Sequence, residues 1–287
     1  MRTKSDAIFI LFSRMIVIVF FVACLLPFWI VFINSFATTR SLNRGFMLFP
    51  SELSLDGYRY VIQNGKIFNN YTVSITVTVT GTFLAVIITS MFGYGLAHPK
   101  VENRFILSFL TYIPMVLGSG LVGFYLLIVK YLKINETIWA MILPYIVNPF
   151  YVFIMISFYR DLPYELIEAS YIDGATDITV FFRVAWPMSV IPTVTIMLFY
   201  ALTYWNDWWL SMLFINKPGL QPLQLLIRNL TSFQQLQSTI GMNNLGLAQP
   251  LTVQLVTVCI TIGPILLVYP FIQKYFVKGV TLGAVKG

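Results

Sequence analysis

Charge is what this sequence has least of. Only 10% of its 287 residues are charged, against 58% hydrophobic, and the mean hydropathy is +0.80. A soluble domain carries about a quarter charged residues, so the composition excludes one and indicates a membrane protein. Histidine occurs once, as His98, and cysteine twice, as Cys24 and Cys259. That scarcity argues against a disulfide framework, a metal cluster or a nucleophile paired with a base. No G-x-x-x-x-G-K-[ST] run is present either, so no loop of this chain cradles a nucleotide's phosphates. The expectation is a chain with no catalytic residues, no metal site and no cofactor of its own.

What the chain does have is apolar runs. Six stretches reach the roughly 20 residues that a helix needs to cross a bilayer, at about 14–34, 71–97, 105–129, 138–158, 189–213 and 251–275. They leave no room for a large soluble domain and predict an all-α integral membrane protein, residues 1–287 forming a single domain. The first run is too long for a cleaved signal peptide and reads as a retained anchor. One run misleads: "YTVSITVTVTG", 71–81, alternates like a strand. A lone strand leaves open edges in lipid, and the other runs do not alternate, so a helix is expected. Its Thr72, Ser74, Thr76, Thr78 and Thr80 hydroxyls then bond to backbone carbonyls or neighbouring helices. Gly118, Gly120, Gly123, Pro114 and Pro149 supply bends or close helix contacts.

The net charge of +7 does not signal nucleic acid, because the basic residues are scattered along loops and form no stripe. Arg2, Lys4 and Arg14 precede or begin the first run, and Lys274, Lys278 and Lys286 close the last. With Lys100, Arg104, Arg160 and Arg183 they favour cytoplasmic termini by a small margin. Two longer connections, 35–70 and 214–250, then fall on the outer face. The second contains "LQPLQLLIRNLTSFQQLQSTI", apolar at near-helical spacing, which either lies along the membrane or docks a partner.

Against this background one segment stands apart. Asp161, Glu165, Glu168, Asp173 and Asp177 gather five of the chain's eleven acids. Each would cost roughly 2.5 to 3.5 kcal/mol at mid-bilayer, on the order of 12 to 18 kcal/mol together. The segment is therefore in water, and by the charge rule cytoplasmic. Asp161 is expected to cap a helix with Pro163 and Glu165 in its first turn. That helix places Leu162, Leu166 and Ala169 on one face and stops at Gly174. Thr176 caps a second short helix, Asp177 lies in its first turn, and Pro187 after Trp186 ends it. Two readings stay open on these residues alone, a docking knob and an amphipathic loop beneath the membrane.

"EASYIDGATDITVFFRVAWP" resembles the EAA motif of ABC importer permeases, in which E-A-A is followed at fixed distances by D-G-A, a phenylalanine and a proline. Glu168, Ala169, Asp173, Gly174, Ala175, Phe181 and Pro187 match as they stand, and Ser170 replaces an alanine by another small residue. "LKINETIWAMILPYIVNPF", "WNDWWLSMLF" and "YFVKGVTLGAVKG" extend the likeness to MalG-type permeases of carbohydrate importers. The resemblance implies a type I importer transmembrane domain with six helices and a coupling loop at about 159–188. Glu168 to Ala175 would then seat in a partner ATPase subunit. It further implies a second, MalF-like permease, two ATPase subunits that use ATP and magnesium, an extracytoplasmic sugar-binding protein, and a multi-pass place in the cytoplasmic membrane. The basic tail 278–287 would reach the ATPases or hang free. The "PLQLLIRNL" segment is similar to permeases serving complex oligosaccharides, including uronide-rich or host-glycan fragments. An ion-coupled secondary transporter, the alternative, would carry internal repeats and broken helices with ionisable groups near the midplane; no convincing repeat is seen, and the acids cluster in a loop.

One acid falls inside an expected span. Tyr204, Trp205, Asn206, Asp207 and Trp208 combine flat apolar faces with polar groups that match the surfaces of a sugar, and they are the candidate substrate path. An aromatic belt at the outer interface is the competing reading of the same residues.

Overall fold

The computed structural model describes residues 4–42, 44–63, 66–118, 120–240 and 251–264, among which the named elements are helices and none is a strand. An isolated bridge between Ala37 and Leu53 is the one β pairing among them. Packing separates the described residues into two compact units, one drawn from 4–67 and from 227 to 264, the other from 68–226.

In the first unit, α1 (Lys4–Asn34) starts ten residues before the expected span and runs unbroken through Pro27. Side chains along it, from Phe9 to Phe32, stay exposed, as suits a helix whose apolar surface has lipid or protein still to meet. Asn34 ends it. Its side-chain amide donates to the carbonyls of Ile30 (2.8 Å) and Met47 (2.7 Å), and its oxygen accepts from the Met47 amide (3.2 Å), which ties the following loop to the helix. Further on, the short helix Asp56–Gln63 packs through Gly57 against Thr252 and Val256 of the apolar helix Leu251–Pro264. The expected sixth span continues to 275 and its remainder, with the tail 278–287, lies outside the described residues.

The second unit is built around α2 (Lys66–Ala97), a single helix through the strand-like stretch. Helix wins there because the hydroxyls turn back onto their own backbone: Thr72 donates to the Phe68 carbonyl (2.9 Å) and Thr80 to that of Thr76 (2.5 Å). Ser74 instead accepts the amide of Leu223 (2.9 Å). Val73, Val77, Ala85 and Val86 are buried while Val79 and Phe83 are exposed, so one face meets protein. The helix Leu223–Ile240, which covers much of the outer amphipathic segment, buries Leu223 and Leu225 in the protein at its start, so that end does not lie along lipid.

Among the described residues, α1 and α2 contain the two uninterrupted helices long and apolar enough to cross a membrane. The next three expected spans are broken. The first comprises α3 (Arg104–Val116) and α4 (Leu121–Leu126), which passes into a π turn, Leu127–Tyr131. Gly120 sits at that break with φ +68°, and Gly118, Gly120 and Gly123 have open space around them, so they serve a bend and not a close helix contact. The second comprises α5 (Trp139–Ile142), continued by a 3-10 turn to Tyr145, and α6 (Pro149–Arg160), bent by 47°. Pro149 opens α6, where its missing amide costs nothing, and the Asn148 side chain accepts the Phe150 amide. The third has α9 (Val190–Asn206) and α10 (Trp209–Phe214), separated at Asp207 and Trp208. Backbone left unpaired at such breaks is tolerated at membrane depth only where protein or a cavity receives it.

Candidate coupling segment and substrate cleft

The acidic segment follows α6 directly. Asp161 closes α6 as its C-terminal cap and does not start the next helix, correcting the expected N-cap. α7 (Tyr164–Ile172) begins after Pro163 without a side-chain cap and carries Glu165 in its first turn. Proline's preset backbone starts this helix, and the acid answers the helix dipole. Gly174 ends it at φ +82°, its amide bonded to the Tyr171 carbonyl and that of Ala175 to the Ser170 carbonyl, both 3.0 Å. Thr176 then caps α8 (Asp177–Val180), accepting the Thr179 amide. A π turn, Phe181–Ala185, follows, and the helix continues through Trp186–Met188. Pro187 therefore does not end it. The wider π turn relieves the clash that proline makes with the preceding turn of a regular helix. The chain then bends by 85° into α9.

Burial sorts the segment into two faces. Ile167 and Phe181 are buried, and Leu162, Tyr171 and Ala175 pack against the core. Glu165, Leu166, Glu168, Ala169, Ile172, Asp173, Gly174 and Ile178 are exposed. Leu166 and Ala169 thus face away from Leu162, against the expected shared face. Ile172 is 83% exposed and Ile178 65%, beside the acids. Ser170 donates to the Leu166 carbonyl (2.8 Å), the role of a small side chain inside a turn. Phe181 stacks on Trp186 at 5.7 Å and meets Tyr94 of α2, fixing the segment's return.

Of the aromatic cluster, Tyr204 and Trp205 are buried. Tyr204 lies against Gly81 and donates to the Ile142 carbonyl (3.0 Å). Asn206 is exposed and donates to the Leu202 carbonyl (2.9 Å), while Trp208 is half-buried and meets Trp209 edge-on. Asp207 accepts from the Tyr145 hydroxyl (2.9 Å) and, at the start of α10, from the Leu210 amide (3.4 Å).

The break between α5 and α6 opens a cleft of about 210 Å³ lined by Pro144, Tyr145, Asn148, Tyr151, Tyr200 and Thr203, among others. Tyr145 joins it to the cluster through its ring contact with Tyr204 and its bond to Asp207. These lining residues were not anticipated, although "LPYIVNP" carries a signal, since asparagine before proline marks a helix start inside an apolar run. Aromatic faces beside amide and hydroxyl groups suit a polar, ring-shaped solute. Among the described residues no three His, Cys, Asp or Glu side chains come together to hold a metal ion.

The profile of a family described as "Binding-protein-dependent transport system inner membrane component" matches residues 90–282. The chain belongs to that family. Both the acidic segment and the cleft fall within the matched stretch, so this inner-membrane transport component carries its candidate sites in the part that defines the family. It is 36% identical over 274 residues to the "Polygalacturonan/rhamnogalacturonan transport system permease protein YtcP" of Bacillus subtilis, covering 94% of this chain and 95% of the relative. It is 39% identical over 265 residues to the "Protein LplC" of the same organism, covering 92% and 90%. Among solved structures it matches a chain of a "bacterial ABC transporter involved in the import of the acidic polysaccharide alginate", with TM-score 0.83, 22% identity, and 96% and 99% of the two chains covered. At that identity the likeness speaks for the fold. The transport component is thus a multi-pass membrane protein with an ABC importer permease fold.

Proposed function

We propose that this chain is the permease subunit of an ABC importer, forming half of a membrane pathway for an oligosaccharide and coupling it to ATP hydrolysis by partner subunits. The observation that carries the coupling role is the segment 164–178. It is a short helix with a glycine turn that seats one face on the core and offers Glu165, Glu168 and Asp173 beside exposed Leu166, Ile172 and Ile178. Exposed apolar side chains rimmed by polar ones suit a protein partner. Glu168, Ala169, Ser170, Asp173, Gly174 and Ala175 form the contact with an ATPase subunit, and Phe181 and Pro187 hold the segment's return. ATP and magnesium belong to two such subunits, and this chain binds neither.

The remaining parts of the reading are a second, MalF-like permease, an extracytoplasmic sugar-binding protein, termini in the cytoplasm and residues 1–287 as a single permease domain. Substrate passes along the cleft at Tyr145, Asn148, Tyr151 and Thr203, with Asn206 and Trp208. Tyr204, Trp205 and Asp207 support the cleft wall. A relative named for polygalacturonan and rhamnogalacturonan makes uronide-containing oligosaccharides the first class to test. Family membership favours this reading over an ion-coupled secondary transporter.

Co-expression with the partner subunits and reconstitution into vesicles tests it, with ATP-dependent uptake of an oligogalacturonide delivered by the binding protein. Ile172→Asp changes a side chain with little packing to lose, and Glu168→Lys reverses a charge on the same face. Gly174→Pro forbids the turn's positive φ. All three are expected to release the ATPase subunits and abolish stimulated hydrolysis. Retention of normal assembly and coupling by all of them would refute the docking role.

A further inference from the structure

Three hydrogen bonds in a row join the acidic segment to the end of α2. Pro99 keeps His98 out of the helix, so α2 stops at Ala97 and the imidazole is free to turn toward α7. The Lys100 amide donates to His98 Nδ1 (3.3 Å). An accepting Nδ1 places the proton of the neutral ring on Nε2, which lies 3.2 Å from the Tyr171 hydroxyl. Tyr171 in turn donates to Asp177 Oδ1 (2.7 Å). Each group accepts one bond and donates the next, so the chain has one direction and no conflict. Lys100 Nζ stands 4.5 Å from the centroid of the Tyr171 ring, and Tyr94 packs on His98 from within α2. His98, Tyr171, Asp177 and Tyr94 border a cavity of about 190 Å³ with Met91, Val101 and Ile178.

We propose that the His98–Tyr171–Asp177 relay is the joint that passes displacement of the coupling segment to α2, with Tyr171 as its positioning residue. The inference rests on the importer reading above. Tyr171 lies on the buried face of α7, opposite the residues assigned to the ATPase contact, and it bonds to two elements at once. A push on the exposed face therefore reaches α2 through this side chain, where α2 leads on to the core at Gly93 and Thr89. The relay requires neutral His98, because a proton on Nδ1 would face the Lys100 amide donor. Burial lowers the His98 pKa, opposed by Asp177 and assisted by Lys100, in keeping with that requirement. Lys100, Asp177, Tyr171 and Tyr94 are the titratable groups facing the ring.

The test uses the whole reconstituted complex with oligogalacturonide-loaded binding protein. Tyr171→Phe keeps the ring and removes the hydroxyl; Asp177→Ala removes the terminal acceptor. Each is expected to leave ATPase co-purification and basal hydrolysis within about twofold of wild type. Each is also expected to lower the ratio of stimulated to basal hydrolysis about tenfold, the scale of one charge-assisted hydrogen bond. Combined, they should lower it no further, because they break one unit. The wild-type ratio should fall on the acid side as His98 takes up a proton, and Tyr171→Phe should lack that step. Wild-type coupling in the single variants, multiplying effects in the double variant, or loss of ATPase binding in Tyr171→Phe would each overturn the proposal. A wild-type complex that no loaded binding protein stimulates would instead refute the importer reading.

Discussion

Gly93 and Gly95 lie two residues apart on α2 and provide a controlled test of how tightly α2 and α6 meet. A Cβ at Gly93 would stand 2.6 Å from Met155 Cβ and 3.4 Å from both the Ile156 amide nitrogen and the Val152 carbonyl oxygen. Carbon atoms settle at about 3.5–4.0 Å, so α6 must move by roughly 1 Å to admit a methyl group. Met155 and Val152 are fully buried, and Met155 Cβ is fixed to its backbone, so no side-chain rotation relieves the clash. Overpacking of this kind costs about 1–3 kcal/mol. At Gly95 nothing lies within 4 Å. Replacing glycine by alanine in a helix gains about 1 kcal/mol at either position, so the difference between the two variants isolates the packing cost. With a melting shift of roughly 2–4 °C per kcal/mol, Gly93→Ala should melt roughly 2–12 °C below Gly95→Ala. Thermal unfolding of the purified complex in detergent, followed by tryptophan fluorescence, reads this directly. If Gly93→Ala melts at or above Gly95→Ala, the close α2–α6 contact is wrong.

Other expectations follow from single contacts. Asp207→Ala should destabilise the chain by about 1–3 kcal/mol, through loss of the acceptor for the Tyr145 hydroxyl and for the Leu210 amide in the first turn of α10. Asp207→Asn, which keeps an acceptor oxygen, should lose distinctly less; equal melting of the two would remove the acceptor role. Glu136, held at φ +58°, accepts the amides of Asn216 (2.9 Å) and Lys217 (3.0 Å). Those amides, that of Asn216 first, lower its pKa, so the clasp is complete above the ordinary glutamate range and is lost as pH falls through the depressed value. Hydrogen exchange at Asn216 and Lys217 should stay slow through the ordinary glutamate range and accelerate only below it. Acceleration within that range would contradict the clasp. Leu223→Pro, which deletes the amide that Ser74 accepts, should loosen the start of the Leu223–Ile240 helix, and unchanged protease sensitivity there would count against that contact.

Composition alone decided that this chain belongs in a membrane, because too few charges remain to solvate it and the apolar runs have the length of a bilayer. The cost of burying carboxylates likewise put the acidic segment in water, and Gly174 marked its turn, since local backbone preference needs no distant partner. Thr176 was legible as a cap for the same reason. Contacts between distant residues were not legible. Asp161 had the chemistry of an N-cap, yet α6 claimed it as a C-terminal residue. Leu166 looked like a core position until the seating of Ile167 and Tyr171 turned it outward. Tyr204 and Trp205 suited a sugar equally well on paper, but packing against Gly81 and the α5 carbonyl buried Tyr204. The relay from His98 to Asp177 joins residues 73 and 6 positions apart, and the cleft at Asn148 exists because α5 and α6 diverge. Periodicity and transfer energy act along the chain and are written in it. Which face meets which, and what a helix break uncovers, is decided only when the helices pack.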